Sequence, residues 1–115
     1  MVNYCLQAAD ILANDGIDVE VVDLRTVYPL DKATIIERSQ RTGKVLLVTE
    51  DNLEGSIMSE VSAIIAENCL FDLDAPIMRL AAPDVPSMPF SPTLENEIMM
   101  NPEKIQDKMR ELAQF

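Results

Sequence analysis

DKATIIERSQRTGKVLLVTED, residues 31–51, holds one complete helix-to-strand unit. Asp31 is a residue type that caps a helix by accepting from an exposed backbone N–H. Ala33, Ile35 and Ile36 then give an apolar side to a helix reaching about Arg41. Gly43 supplies the positive φ that ends such a helix cheaply. Val45-Leu46-Leu47-Val48 reads as a strand buried on both faces, ending at Thr49, Glu50 and Asp51.

The same alternation extends both ways. Cys5, Ala8, Ala9 and Leu12 form a helical stripe between Val2 and about Asn14, with Asn3 as a candidate cap and Gly16 beyond its end. Val19, Val21, Val22 and Leu24 predict a strand buried on both faces and ending at Arg25. Downstream, Ile57, Val61, Ile64 and Ile65 share a helical face beginning near Ser56. Pro76 opens a strand, Ile77 to Leu80, that is half-buried or lies at an edge. Four prolines between Pro83 and Pro92 exclude helix and central strand, predicting an extended surface crossing. Asn101 and Pro102 open a last helix with Ile105, Met109 and Leu112 as its packing stripe. The pattern predicts one domain over residues 1–115, a three-layer α/β/α arrangement on a mainly parallel sheet. A strand usually precedes each crossover helix in such folds, yet here a helix comes first.

Composition limits the chemistry. The 115 residues carry 20 acidic and 9 basic side chains, a net charge of −11, with two Cys and neither His nor Trp. Residues 1–50 hold 8 acids and 5 bases, and residues 51–115 hold 12 and 4, so the second part carries most of the charge. Such an acidic chain is a poor phosphate-backbone binder, so no nucleic-acid partner is expected. Without His there is no ready general base near neutral pH and no His-activated nucleophile. Mean hydropathy of +0.06 and no apolar run near 18 residues argue against a membrane span. With no secretory signal in view, Cys5 and Cys69 read as reduced, buried thiols and the chain as cytoplasmic.

Ligands of open α/β sheets gather beyond the carboxyl ends of strands, where Asp23, Arg25, Glu50, Asp51 and Gly55 fall. The carboxylates suit either a magnesium-dependent phosphoacceptor or, for Asp51 and Asn52, plain helix capping. Neither a dinucleotide fingerprint nor a phosphate loop is present. Asp23 and Arg25 either clamp an anion or buttress the turn into Tyr28-Pro29. The methionines read mostly as packing, with Met99-Met100 a candidate interface.

Several separated motifs carry a family resemblance. Asp23-Leu24-Arg25-Thr26 followed by Pro29-Leu30-Asp31 resembles the D-L-R-T-x-x-P-L-D stretch of thiamine-dependent 2-oxo acid dehydrogenase β subunits. The match continues through Val48-Thr49-Glu50-Asp51, Glu60, Leu73-Asp74-Ala75-Pro76, Ala82-Pro83-Asp84-Val85-Pro86, Pro89, Pro92 and Asn101-Pro102. In this order the motifs resemble the C-terminal domain of that subunit, the transketolase C-terminal fold. Glu54 to Glu60 and the ending Met109 to Phe115 are most similar to branched-chain enzymes of Gram-positive bacteria; pyruvate or acetoin dehydrogenase β subunits and an unrelated acidic interaction module are the alternatives. Gly55 stands alone where many relatives have a Gly-Gly-Phe-Gly run.

The resemblance implies a fragment of a longer β subunit, inactive by itself, without catalytic, cofactor-binding or metal residues of its own. Asp23, Arg25, Pro29, Asp31, Glu50, Glu60, Pro83 and Asp84 become structural motif residues. The parent enzyme would use thiamine diphosphate and magnesium to decarboxylate a 2-oxo acid oxidatively and acylate a lipoyl group. Implied partners are an alpha subunit, a second beta subunit and the basic subunit-binding domain of a dihydrolipoyl acyltransferase, with Asp107, Glu111 and Phe115 as docking candidates or, for the two acids, ordinary solvated positions. Relatives also place a strand ahead of the first helix, between the strands equivalent to 18–25 and 44–50. Without it two rows of backbone groups lose partners, each buried orphan costing roughly 1–3 kcal/mol. A rearranged sheet or a borrowed strand is expected.

Overall fold

A computed structural model describes residues 1–85 and 89–115. The elements are α1 (Val2–Asn14), α2 (Lys32–Thr42), β1 (Leu46–Asn52), α3 (Ile57–Cys69), a 3-10 turn (Leu70–Asp72), β2 (Met78–Ala82), α4 (Pro92–Ile98) and α5 (Pro102–Ala113).

The unit at 31–51 forms as its local chemistry dictates. Asp31 accepts from Thr34 N at 3.0 Å and from Thr34 Oγ1 at 2.7 Å. Gly43 closes α2 at φ 68°, its N–H donating to Ser39 O at 3.0 Å. Asp74 N donates to Gly43 O at 2.7 Å, and Met78 N to Val45 O at 3.0 Å, leading into the β1–β2 pairing. The two strands are parallel, with Leu46, Leu47 and Val48 opposite Met78, Arg79 and Leu80, and an irregularity before Asn52 meets Ala82.

Successive β1 residues sort to opposite faces, as strand geometry requires. Leu47 joins Ile35, Val61, Ile65 and Cys69 under α2 and α3. Val48 and Leu80 face Cys5, Ala8 and Ile105 from α1 and α5. Helices therefore cover both faces of a small parallel sheet.

The predicted strand at 19–25 is not formed. The segment is extended and splits its side chains between the two cores, Leu24 to the first and Val21 to the second. It joins no ladder among the described residues, and the sheet has two strands, β1 and β2. Nor is it buried on both faces: Val22 is 41% exposed. A strand exists only where a neighbouring edge accepts its hydrogen bonds, and here none is within reach. The Cα radius of gyration, 14.5 Å, exceeds the roughly 13 Å typical of a packed domain this long, in keeping with a sheet left open.

Smaller expectations also change. Met1 rather than Asn3 occupies the cap position of α1, because the helix already includes Asn3. Ala33 is exposed, leaving Ile35 as the buried anchor of α2. Pro92 begins α4 instead of closing an extended crossing, since at the first helical position its missing N–H costs nothing. The central part of that proline-rich stretch, residues 86–88, lies outside the described residues. Met100 is buried within the chain rather than presented as an interface.

Candidate functional site: the acidic face of the last helix

α5 begins as its sequence predicts. Asn101 Oδ1 accepts from Lys104 N at 2.8 Å, and Pro102 occupies the first turn. Ile105 and Leu112 are buried, and Met109 packs beside Ile105 against Cys5 and Ala8 of α1. This seam fixes what the other side of the helix shows. Glu103, Asp107 and Glu111, four residues apart, form one exposed acidic stripe. Asp107 and Glu111 were legible from sequence; Glu103 belongs with them by the same spacing. Beyond them Gln114 and Phe115 are exposed, the phenyl-bearing residue at 61%.

Local cations partly balance the stripe. Lys108 Nζ lies 2.7 Å from Glu111 Oε2, and Arg110 Nη1 lies 3.9 Å from Asp107 Oδ1. Arg110 also reaches Asp15 Oδ2 at 2.6 Å, tying α5 to the end of α1. Glu103 has no ion pair among the described residues. Exposed pairs of this kind contribute about 0–1 kcal/mol. Lys44 Nζ donates to Ala113 O at 3.0 Å and anchors the end of α5 beside the start of β1.

The remaining candidates do not assemble with this face. Arg25 adopts φ 55° because its backbone N–H and Nε both reach the Asp23 carboxylate, each at 3.2 Å. That pair braces the turn toward the cis Tyr28-Pro29 bond, with the Arg25 side chain 83% exposed. The two Thr34 bonds hold the Asp31 carboxyl below its usual value, the backbone bond contributing most. Glu50 and Asp51 lie exposed at the end of β1; Asp51 Oδ1 accepts from Asn52 N at 2.8 Å. Neither Asp51 nor Asn52 caps a helix, since both are still in β1, and Ser56 takes the α3 cap position with no side-chain cap bond. Glu60 sits in the first turn of α3, and Pro83 and Asp84 are exposed after β2. Arg79, which the sequence did not single out, ties this end together by donating to Leu53 O and Ser59 Oγ, both at 3.2 Å.

Burial raises the pKa of both thiols, Cys5 in α1 and Cys69 in α3. Among the described residues no three His, Cys, Asp or Glu side chains converge as a metal site. No helix among the described residues is long and apolar enough to cross a membrane.

These features define a parallel α/β domain whose outward equipment is a charged helix face. The chain belongs to the family of transketolase C-terminal domains, whose model matches residues 1–105. It is 67% identical to the 2-oxoisovalerate dehydrogenase subunit beta of Bacillus subtilis (strain 168), over 99% of this chain and 35% of that protein. It is 41% identical to the pyruvate dehydrogenase E1 component subunit beta of the same organism, over 100% of this chain and 35% of that protein. The chain thus spans about a third of the length of these curated relatives. A solved structure described as a split-gene transketolase, inactive beta4 tetramer, superposes with a TM-score of 0.82 over 96% of this chain and 35% of its own. At 22% identity that likeness concerns the fold alone.

Proposed function

We propose that the chain is the assembly and docking domain of a branched-chain 2-oxo acid dehydrogenase β subunit, with no catalytic group of its own. Support for the enzyme class is the 67% identity to a 2-oxoisovalerate dehydrogenase β subunit across nearly the whole chain. In the intact enzyme, thiamine diphosphate and magnesium would supply the decarboxylation chemistry, held by residues other than these. The domain's partners would be the alpha subunit, a second beta subunit and the basic subunit-binding domain of a dihydrolipoyl acyltransferase.

The docking role rests on the exposed stripe of Glu103, Asp107 and Glu111 ending at the exposed Phe115. A row of carboxylates steers a basic partner and fixes its register, and a terminal aromatic gives it an apolar anchor. The test is affinity for the purified acyltransferase subunit-binding domain across a salt series. The charge-neutral variant D107N/E111Q should bind about tenfold or more weakly, with a shallower salt dependence. Deleting Gln114 and Phe115 should weaken binding while leaving the salt slope unchanged. Equal affinity and equal slope for all three proteins would remove the docking role.

A further inference from the structure

Asp15 is the one Asp or Asn in the chain that is followed by glycine. The pair closes α1, both residues are exposed, and Gly16 takes φ 78°. A backbone nitrogen directly after an aspartate can reach that residue's carboxyl carbon and close a five-membered ring. A side chain on the following residue hinders the closure, and glycine has none. A Cβ built on Gly16 would find nothing within 4 Å, so neighbouring chain does not obstruct the rearrangement either.

Two contacts oppose the closure. Asp15 Oδ2 accepts from Arg110 Nη2 at 2.6 Å, across to α5. Gly16 N–H donates to Ala13 O at 3.1 Å in the last turn of α1. The ring is uncharged and its nitrogen carries no hydrogen, so closure breaks the ion pair and the hydrogen bond together. The hydrogen bond belongs to the helix end itself, whereas the ion pair is supplied by a residue 95 positions away.

We propose that Asp15-Gly16 is a site of spontaneous isoaspartate formation and that Arg110 sets its rate. The Gly16 nitrogen adds to Asp15 Cγ, and one carboxyl oxygen leaves as water with the amide hydrogen and one proton from solvent. Water then opens the succinimide. Breaking the Cγ–N bond restores aspartate. Breaking the bond from nitrogen to the Asp15 main-chain carbonyl instead routes the backbone through Cγ and frees that carbonyl as a carboxylate. Water is the only co-reactant. The product has one more methylene in the main chain at the end of α1 and its carboxylate displaced from Arg110, which releases the tie between α1 and α5. The site stands whether or not the outer face of α5 docks a partner.

The test ages the folded chain at neutral pH beside a blocked peptide of residues 13–17, Ala-Asn-Asp-Gly-Ile. Isoaspartate is read at position 15 by enzymatic methylation and peptide sequencing, since the product has the mass of the parent. The parent chain should convert, more slowly than the peptide. Exposed ion pairs shift an equilibrium by up to about fivefold, so Arg110→Gln should convert about two- to fivefold faster than the parent. Lys108→Gln breaks the neighbouring pair with Glu111 on the same helix and should leave the rate unchanged, separating the Asp15 contact from general loosening of α5. No isoaspartate at position 15 by the time the peptide has converted would overturn the site. Equal rates for the parent and Arg110→Gln, or equal acceleration by Lys108→Gln, would overturn the role of Arg110.

Discussion

Replacing Gly43 by Ala strikes the point where α2, β1 and the chain entering β2 meet. At φ 68° an L side chain is strained, and a Cβ there would run into the Asp74 carboxylate oxygen, with Asp74 Cγ at 3.1 Å and Asp72 O at 3.3 Å. Gly16, at φ 78°, has nothing within 4 Å of the same hypothetical Cβ. The left-handed conformation costs an Ala about 1–2 kcal/mol, offset by about 0.4–1 kcal/mol from stiffening the unfolded chain. Gly16→Ala should therefore destabilise by roughly 0.5–1 kcal/mol. Gly43→Ala must also turn the exposed Asp74 carboxylate aside and crowd Asp72 O, adding about 1 kcal/mol, the low end of the overpacking range, for a total near 1.5–2 kcal/mol. Urea unfolding followed by circular dichroism measures both, and adding Asp74→Ala to Gly43→Ala should recover at least about 0.5 kcal/mol as a coupling term. Equal costs for the two single variants, or no coupling with Asp74, would refute the crowding account of the α2–β1 junction.

Two further outcomes follow from the packing and the caps. Ile105→Ala empties a fully buried position between α5 and α1 and should cost about 2–5 kcal/mol in urea unfolding; a cost below about 1 kcal/mol would mean that the seam does not hold α5. The Asp31 carboxyl has its pKa lowered from 3.8 by the Thr34 bonds, so its share of stability is present above that value and disappears as pH falls through the lower folded pKa. Urea midpoints compared at pH 7 and pH 3 should accordingly drop less in Asp31→Asn than in the parent chain.

What could be read from sequence is what local chemistry decides. Asp31, Gly43 and Asn101 set helix ends through bonds to residues at most four positions away, and α3 and α5 followed from their apolar spacing. Residues 19–25 failed because β-branched composition describes a strand's fit to a sheet, while its existence depends on an edge supplied from elsewhere. α4 is not legible because four prolines in ten residues, taken together, argue against helix, whereas at its own position Pro92 starts one. In the site, the stripe was legible from its period of four. Its electrostatic setting was not, since Arg110 pairs with Asp15 across 95 residues.

The central claim is that these residues serve assembly and docking while the chemistry lies outside them. Calorimetric titration of one sample with two ligands tests it most directly. The acyltransferase subunit-binding domain should give saturable heat at one-to-one stoichiometry, weakening as salt rises, and thiamine diphosphate with magnesium should give none. Saturable cofactor binding together with no heat from the subunit-binding domain would contradict the account.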